Sequence, residues 1–193
     1  MPRMSEAEKQ RSHGRILDAA ARLFRENGIE STSVADVMKA AGMTHGGFYR
    51  HFQSKEDLVA AAFRHAVDSV VADLEGEATS DGQARERDAY IERYLSQAHV
   101  KDLGGGCPLA ALGGELARAG RTPLNEGAEA SSRMAELLHQ PDDADKAQGL
   151  ALMALMLGTV TLARLAENSE DSHRVLAAGR TGLSLVQEHW KKK

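Results

Sequence analysis

Apolar residues recur along the chain at the three-to-four-residue spacing of helices, with no alternating run that would make a strand. The first stripe, Ile16, Leu17, Ala20, Leu23 and Phe24, predicts an amphipathic helix over residues 8–27, stopped by Gly28, which tolerates positive φ. Ser33-x-x-Asp36 resembles a capping box with Asp in place of Glu or Gln. It opens a short helix that buries Val34, Val37, Met38 and Ala41 and ends at Gly42. Thr44 can cap a third short helix, in which Phe48 and Phe52 lie four apart and face inward. Ser54-x-x-Asp57 opens a longer one, with an apolar stripe from Leu58 to Leu74.

Further along, Ser80-Asp81-Gly82 reads as a turn, followed by a helix over 84–98 with Tyr90, Ile91, Tyr94 and Leu95 inward. Gly104-Gly105-Gly106 breaks the chain, and Pro108 suits the first position of a sixth helix. Loops near 120–123 and 140–143 bracket a seventh. The eighth, over 144–166, carries no charge between Ala147 and Ala163. That run falls short of the ~20 apolar residues that span a bilayer, and Gln148, Thr159 and Thr161 interrupt it. It predicts a central buried helix, not a membrane span. A ninth helix over 172–188 places Val175, Leu176, Gly179, Gly182, Leu183 and Val186 on one face. The expected fold is all-α, with nine helices.

Composition agrees. The 193 residues fit one ordinary domain or two small ones, and 42% hydrophobic with 27% charged residues excludes wholesale disorder. Aromatics at 4% favour helices over strands. A single cysteine, Cys107, excludes an intrachain disulfide scaffold. The first residues lack the apolar core of a signal peptide, so a soluble cytoplasmic protein is expected. Charge is uneven: residues 1–55 hold nine Lys/Arg against six Asp/Glu, and the remainder holds 15 against 22. A basic module on an acidic body points to an anionic partner at one end.

The chemistry concentrates between Ser33 and Lys55. Two short helices separated by Gly42-Met43 form a helix-turn-helix, in which the first braces the second and the second enters the major groove. With both phenylalanines inward, Gly46, Gly47, Tyr49 and Arg50 project outward, and His45 lies near the helix start. Two adjacent glycines in so short a helix cost roughly 2 kcal/mol relative to alanine, which suggests close approach of the backbone to DNA. Arg11 and Arg15 read as solvated helix charges. From Arg15 to Phe63, the chain resembles the DNA-binding domain of TetR-family transcriptional regulators. The resemblance lies in the first helix, Ala41-Gly42-Met43-Thr44, Gly46, Tyr49-Arg50-His51-Phe52 and Lys55. It implies a homodimer on a palindromic double-stranded operator and a ligand-responsive C-terminal domain. It places Thr44, His45, Gly46 and Gly47 at base edges, and Tyr49, His51, Lys55 and Ser33 at phosphates. Gly47 offers no side chain, so base readout leans on His45 and Arg50. The division expected is 1–54 for DNA binding and 55–193 for effector binding and dimerisation.

In the C-terminal part, the resemblance assigns helices four to seven to an effector pocket and the last two to the dimer. Ala178, Gly179 and Gly182 form a small-residue face that lets helices approach closely. Candidate pocket residues are Phe63, Tyr90, Tyr94, Leu112, Met134, Met153 and Met156. Cys107, ahead of Pro108, is expected at the N-cap of the sixth helix, where the helix dipole favours a thiolate. A thiol-based redox or electrophile sensor is therefore an alternative reading, with the three preceding glycines as a flexible tether. Glu136-x-x-His139 and Glu170-x-x-His173 repeat the pair found in di-iron bundles, but they sit at a helix end and in a polar stretch. No metal, cofactor or catalytic residue is expected, and no membrane partner.

Overall fold

Capping side chains set the helix starts. The computed structural model describes residues 5–75, 80–138 and 147–190, and contains no strand among them. In α1 (Glu6–Asn27), the Ser5 hydroxyl accepts from the Glu8 N–H while the Glu8 carboxylate accepts from the Ser5 N–H. Ser33 and Asp36 repeat this reciprocal pair at the start of α2 (Val34–Ala40), so an Asp does complete the box. A 3₁₀ helix (His45–Arg50) follows, then α3 (Lys55–Glu75), α4 (Ser80–Tyr94), α5 (Gln97–Lys101) and α6 (Pro108–Leu116). The chain continues through α7 (Arg121–Leu138), α8 (Ala147–Arg164) and α9 (Ser169–Trp190).

Three boundaries differ from the expected ones. The third short helix is 3₁₀, and Thr44 makes no side-chain cap; the Gly47 N–H donates instead to the Thr44 carbonyl. Ser80, Asp81 and Gly82 belong to the first turn of α4 and are not a loop. The helix expected over 84–98 is two helices, because Ser96 works in both directions. Its hydroxyl donates to the Arg93 carbonyl at the end of α4 and accepts from the His99 N–H at the start of α5. The side chain of Leu74 and the loop expected near 140–143 lie outside the described residues.

One continuous core runs the length of the molecule. Ile16, Phe24, Val37, Met38, Phe48 and Phe52 bury the N-terminal helices, and Leu58 and Phe63 of α3 carry the core onward to Leu138, Leu152, Met156 and Leu176. Helix α3 packs on both α1 and α7, and so ties the two ends together. By length and composition α8 could cross a membrane, yet it packs between α7 and α9 and buries Leu152, Met156 and Val160. Leu150 and Leu162 of α8 and Leu165 just after it are nonetheless 50%, 60% and 75% exposed, and Leu185 of α9 is 61% exposed.

The small-residue face of α9 serves the contact within the chain. A Cβ on Gly179 would lie 2.3 Å from Thr159 Cγ2 and 2.9 Å from its Cβ, so α8 and α9 touch only because that position is glycine. Gly182 is looser, at 3.8 Å from Leu155 Cδ2. Gly179→Ala should therefore lower stability by about 1–3 kcal/mol, since β-branched Thr159 cannot yield. Gly182→Ala should be neutral or up to about 1 kcal/mol stabilising through helix propensity. Urea midpoints of the two variants check the contrast; equal effects would show that the close contact is not at Gly179.

Candidate nucleic-acid interface and adjoining pocket

Two left-handed glycines shape the N-terminal module. Gly28 (φ 86°) ends α1 with its N–H on the Phe24 carbonyl, and Gly42 (φ 71°) ends α2 ahead of Met43, whose N–H donates to the Met38 carbonyl. Thr32, buried between the helices, donates to the Gly28 carbonyl at 2.8 Å. Phe48 and Phe52 stack inward with ring centres 5.8 Å apart, and His13 of α1 stacks on Phe52 at 4.8 Å. The opposite face carries Ser33, Thr44, His45, Gly46 and Arg50, all exposed. Tyr49 rests its ring edge-on against Phe48, but is 72% exposed, a large aromatic held outside the core.

Two residues expected on that face are turned away. The Cβ position of Gly47 points at the methyl ends of Met38 (3.6 Å) and Met43 (3.7 Å), because the tight 3₁₀ winding rotates it toward the body. His51 leans on the rings of His13 and Phe52, and both its ring nitrogens are enclosed without a hydrogen-bond partner. Burial lowers its pKa, and His13, Lys9 and Arg50 lower it further. Lys55, half-buried at the start of α3, lines a cleft of about 620 Å³ between the end of α1 and helices α6 and α7. In that cleft the Glu115 carboxylate accepts the Ile29 N–H at 2.8 Å.

The second site lies around the start of α6. Cys107 is its N-cap and Pro108 its first residue, as the sequence suggests, and the thiol makes no capping bond. The Cys107 N–H donates to His99 Nε2 (3.0 Å), while His99 Nδ1 lies 2.6 Å from the Tyr94 carbonyl. Both bonds form together only if Nδ1 carries the proton and the ring is neutral. The glycines before Cys107 are packed, not loose. A Cβ on Gly104 would meet Arg22 and Glu26, one on Gly105 would meet Asp102, and one on Gly106 would meet the Asp102 carbonyl and Arg164. Arg25 Nε donates to the Gly104 carbonyl and the Gly105 N–H donates to Asp102, so the expected flexible tether is a clamped turn.

A cavity of about 300 Å³ opens here, lined by Tyr90, Tyr94, His99, Asp102 and Cys107 with Arg93 at its side. Behind Tyr90, Tyr94 and Cys107 lies an apolar recess formed by Leu109, Met134, Leu138, Met153 and Met156. Phe63 is elsewhere, under Arg64 and Glu126, and Leu112 is plain core. Sequence reasoning missed His99; its signal was the Ser96-x-x-His99 cap, hidden inside a longer predicted helix. Glu170 and His173 are exposed at the start of α9, with His173 Nδ1 bonding the Ser169 carbonyl, and His139 lies outside the described residues.

The fold and the exposed second element of the helix-turn-helix define a DNA-binding transcriptional regulator. Residues 16–62 match the family of bacterial regulatory proteins named after tetR. An uncharacterized HTH-type transcriptional regulator of Mycobacterium tuberculosis is 30% identical over 164 residues, covering 78% of this chain and 83% of that protein. The regulator AcrR of Shigella flexneri is 47% identical over 58 residues, 30% of this chain and 27% of that protein. A TetR transcriptional regulator from Chloroflexus aurantiacus superposes with a TM-score of 0.70 at 25% identity, covering 92% of this chain and 96% of the other. The chain belongs to the TetR family.

Acid should weaken the fold through its histidines. Burial lowers the His99 pKa from its ordinary 6.5, with Arg164 adding to it and the Tyr94 carbonyl and Asp102 opposing, and His51 is lowered too. The unfolded chain then binds more protons between the folded and unfolded values, so stability is full above the unfolded value and falls as pH drops through it. Urea midpoints should be level from about pH 8 to 7 and lower at about pH 5.5. His99→Gln should flatten that decline; a wild-type midpoint independent of pH would refute the assignment.

Proposed function

We propose that the protein is a repressor that binds a palindromic operator as a homodimer and leaves it when a small molecule enters the C-terminal pocket. Residues 1–54 form the DNA-binding part and 55–193 the effector and dimer part. The observation that carries the reading is a pair of bare surfaces: the polar face of the 3₁₀ helix, and the exposed leucines in and just after α8 and in α9. A single helix-turn-helix reads few base pairs, so specificity needs two copies about 34–36 Å apart. A second copy covering Leu150, Leu162, Leu165 and Leu185 supplies them and buries the apolar surface. Occupancy of the groove then excludes polymerase.

On the DNA side, Thr44, His45 and Arg50 face base edges, and Gly46 lets the backbone approach. Ser33, Tyr49 and Lys55 meet phosphates. His51 acts from behind by fixing the 3₁₀ helix against His13, since its nitrogens are enclosed. Lys55→Ala should weaken binding on all sequences and reduce the salt slope by roughly one. Tyr49→Phe should weaken binding evenly while leaving the slope unchanged, because it removes no charge. His45→Ala should relax preference at one position per half-site, read by selection from a randomised pool; an even loss on all sequences would remove it from the base readers. Replacing both Leu162 and Leu165 with Asp should convert the dimer to monomer in sedimentation and abolish operator binding. An intact dimer in that variant would move the interface elsewhere.

A further inference from the structure

The inner end of the cavity at α6 has an unusual set of groups. Tyr94 is 5% exposed, and its hydroxyl is enclosed without a hydrogen bond of ordinary geometry. The polar group it faces is the Cys107 thiol, a weak acceptor, and burial together with that sulfur pushes the phenol far above its ordinary pKa. It is therefore a neutral O–H donor enclosed in the wall of the cavity with nothing adequate to donate to, which costs free energy until an acceptor reaches it. His99 cannot serve, because both its nitrogens are engaged by the Cys107 N–H and the Tyr94 carbonyl. Asp102 is tied to the Gly105 N–H, and Arg93 lies over the Tyr90 ring, 5.7 Å from its centre. What remains free at the bottom is one hydrogen-bond donor and one soft nucleophile, side by side, at the inner end of the cavity.

We propose that the effector is a small, uncharged α,β-unsaturated carbonyl compound that Cys107 captures by conjugate addition while the Tyr94 O–H holds its carbonyl oxygen. This rests on reading the chain as an effector-released regulator. In the step, the sulfur forms a bond to the β-carbon and the C=C π pair moves to the carbonyl oxygen, where the Tyr94 donor stabilises the enolate. The thiol proton passes to water in the cavity, and a proton returns to the α-carbon. The product is a thioether, formed by net addition with no oxidant or reductant. The remainder of the molecule occupies the cavity of about 300 Å³ beside Tyr90 and Val70. The adduct stands on the N-cap of α6, next to the clamped turn whose Gly104 carbonyl Arg25 of the DNA-binding module holds. Crowding there is transmitted to α1 directly.

The test uses the full-length protein and 2-cyclohexen-1-one, followed by intact mass and, in parallel, by fluorescence anisotropy on bound DNA. The expected result is one adduct per chain, absent in Cys107→Ser. The rate should saturate with probe concentration and exceed that of N-acetylcysteine, whereas a merely buried thiol would react more slowly than a free one. Tyr94→Phe should fold with an equal or higher thermal midpoint, yet react roughly tenfold or more slowly. A rate linear in probe, a rate below that of N-acetylcysteine, or indifference to Tyr94→Phe would overturn the capture site. Modification by peroxide but not by the enone would overturn it as well, in favour of oxidation. A chain that takes up the adduct as expected and keeps its DNA would leave the capture site standing and overturn the release reading instead.

Discussion

Helix α6 is tied to the end of α1 twice, and the relation between the two parts of the molecule depends on those ties. Ahead of its first turn the Gly104 carbonyl accepts from Arg25; in its last turn Glu115 accepts from the Ile29 N–H. Both donors belong to the segment that closes α1 and leads into the helix-turn-helix. Arg25 is desolvated enough that burial lowers its pKa, with Asp102 and Glu26 opposing that effect. Bonds of this kind, charged and partly buried, are strong when intact and costly when one partner is displaced. A nine-residue helix pinned at both ends has little freedom to absorb a shift at either.

The pocket exploits that arrangement. His99 joins the Tyr94 carbonyl to the Cys107 N–H, Arg164 donates to the Val100 carbonyl of α5, and Arg25 holds the Gly104 carbonyl, so the cavity wall is continuous with the clamped turn. The glycines are needed for close approach, not for unusual backbone angles: among the described glycines only Gly28 and Gly42 have positive φ. Any side chain at Gly106 would collide with the Asp102 carbonyl and Arg164.

The fold was largely legible because helical periodicity and capping pairs are local signals. Ser33 with Asp36, Ser54 with Asp57, Gly28, Gly42 and Pro108 all act as their positions predict. Where two local signals compete, reading fails. Ser96 ends one helix and begins the next, which no apolar stripe records, and α5 was lost with it. Winding was also invisible. A 3₁₀ turn differs from an α turn by a fraction of a residue, and that fraction rotated Gly47 and His51 inward. The pocket was partly legible, since Tyr90, Tyr94, Cys107 and the three methionines are apolar or aromatic and lie on inward stripes. Phe63 and Leu112 satisfy the same rule and are only packed. Polar members such as His99 and Asp102 depend on long-range placement that the sequence does not display.

Gly46 differs from every other glycine of the helix-turn-helix. Its φ is not positive, and a Cβ built there meets nothing within 4 Å. Nothing inside the folded chain opposes a side chain at that position, while Phe48 two residues on is locked in the core. Selection acting on Gly46 is therefore uncoupled from folding and answers only to whatever docks against that surface. On the proposed reading of that surface as the DNA-contacting face, a lineage carrying this scaffold could change its target sequence through a single codon without loss of stability, and duplicated copies could diverge in the genes they govern while keeping the same body.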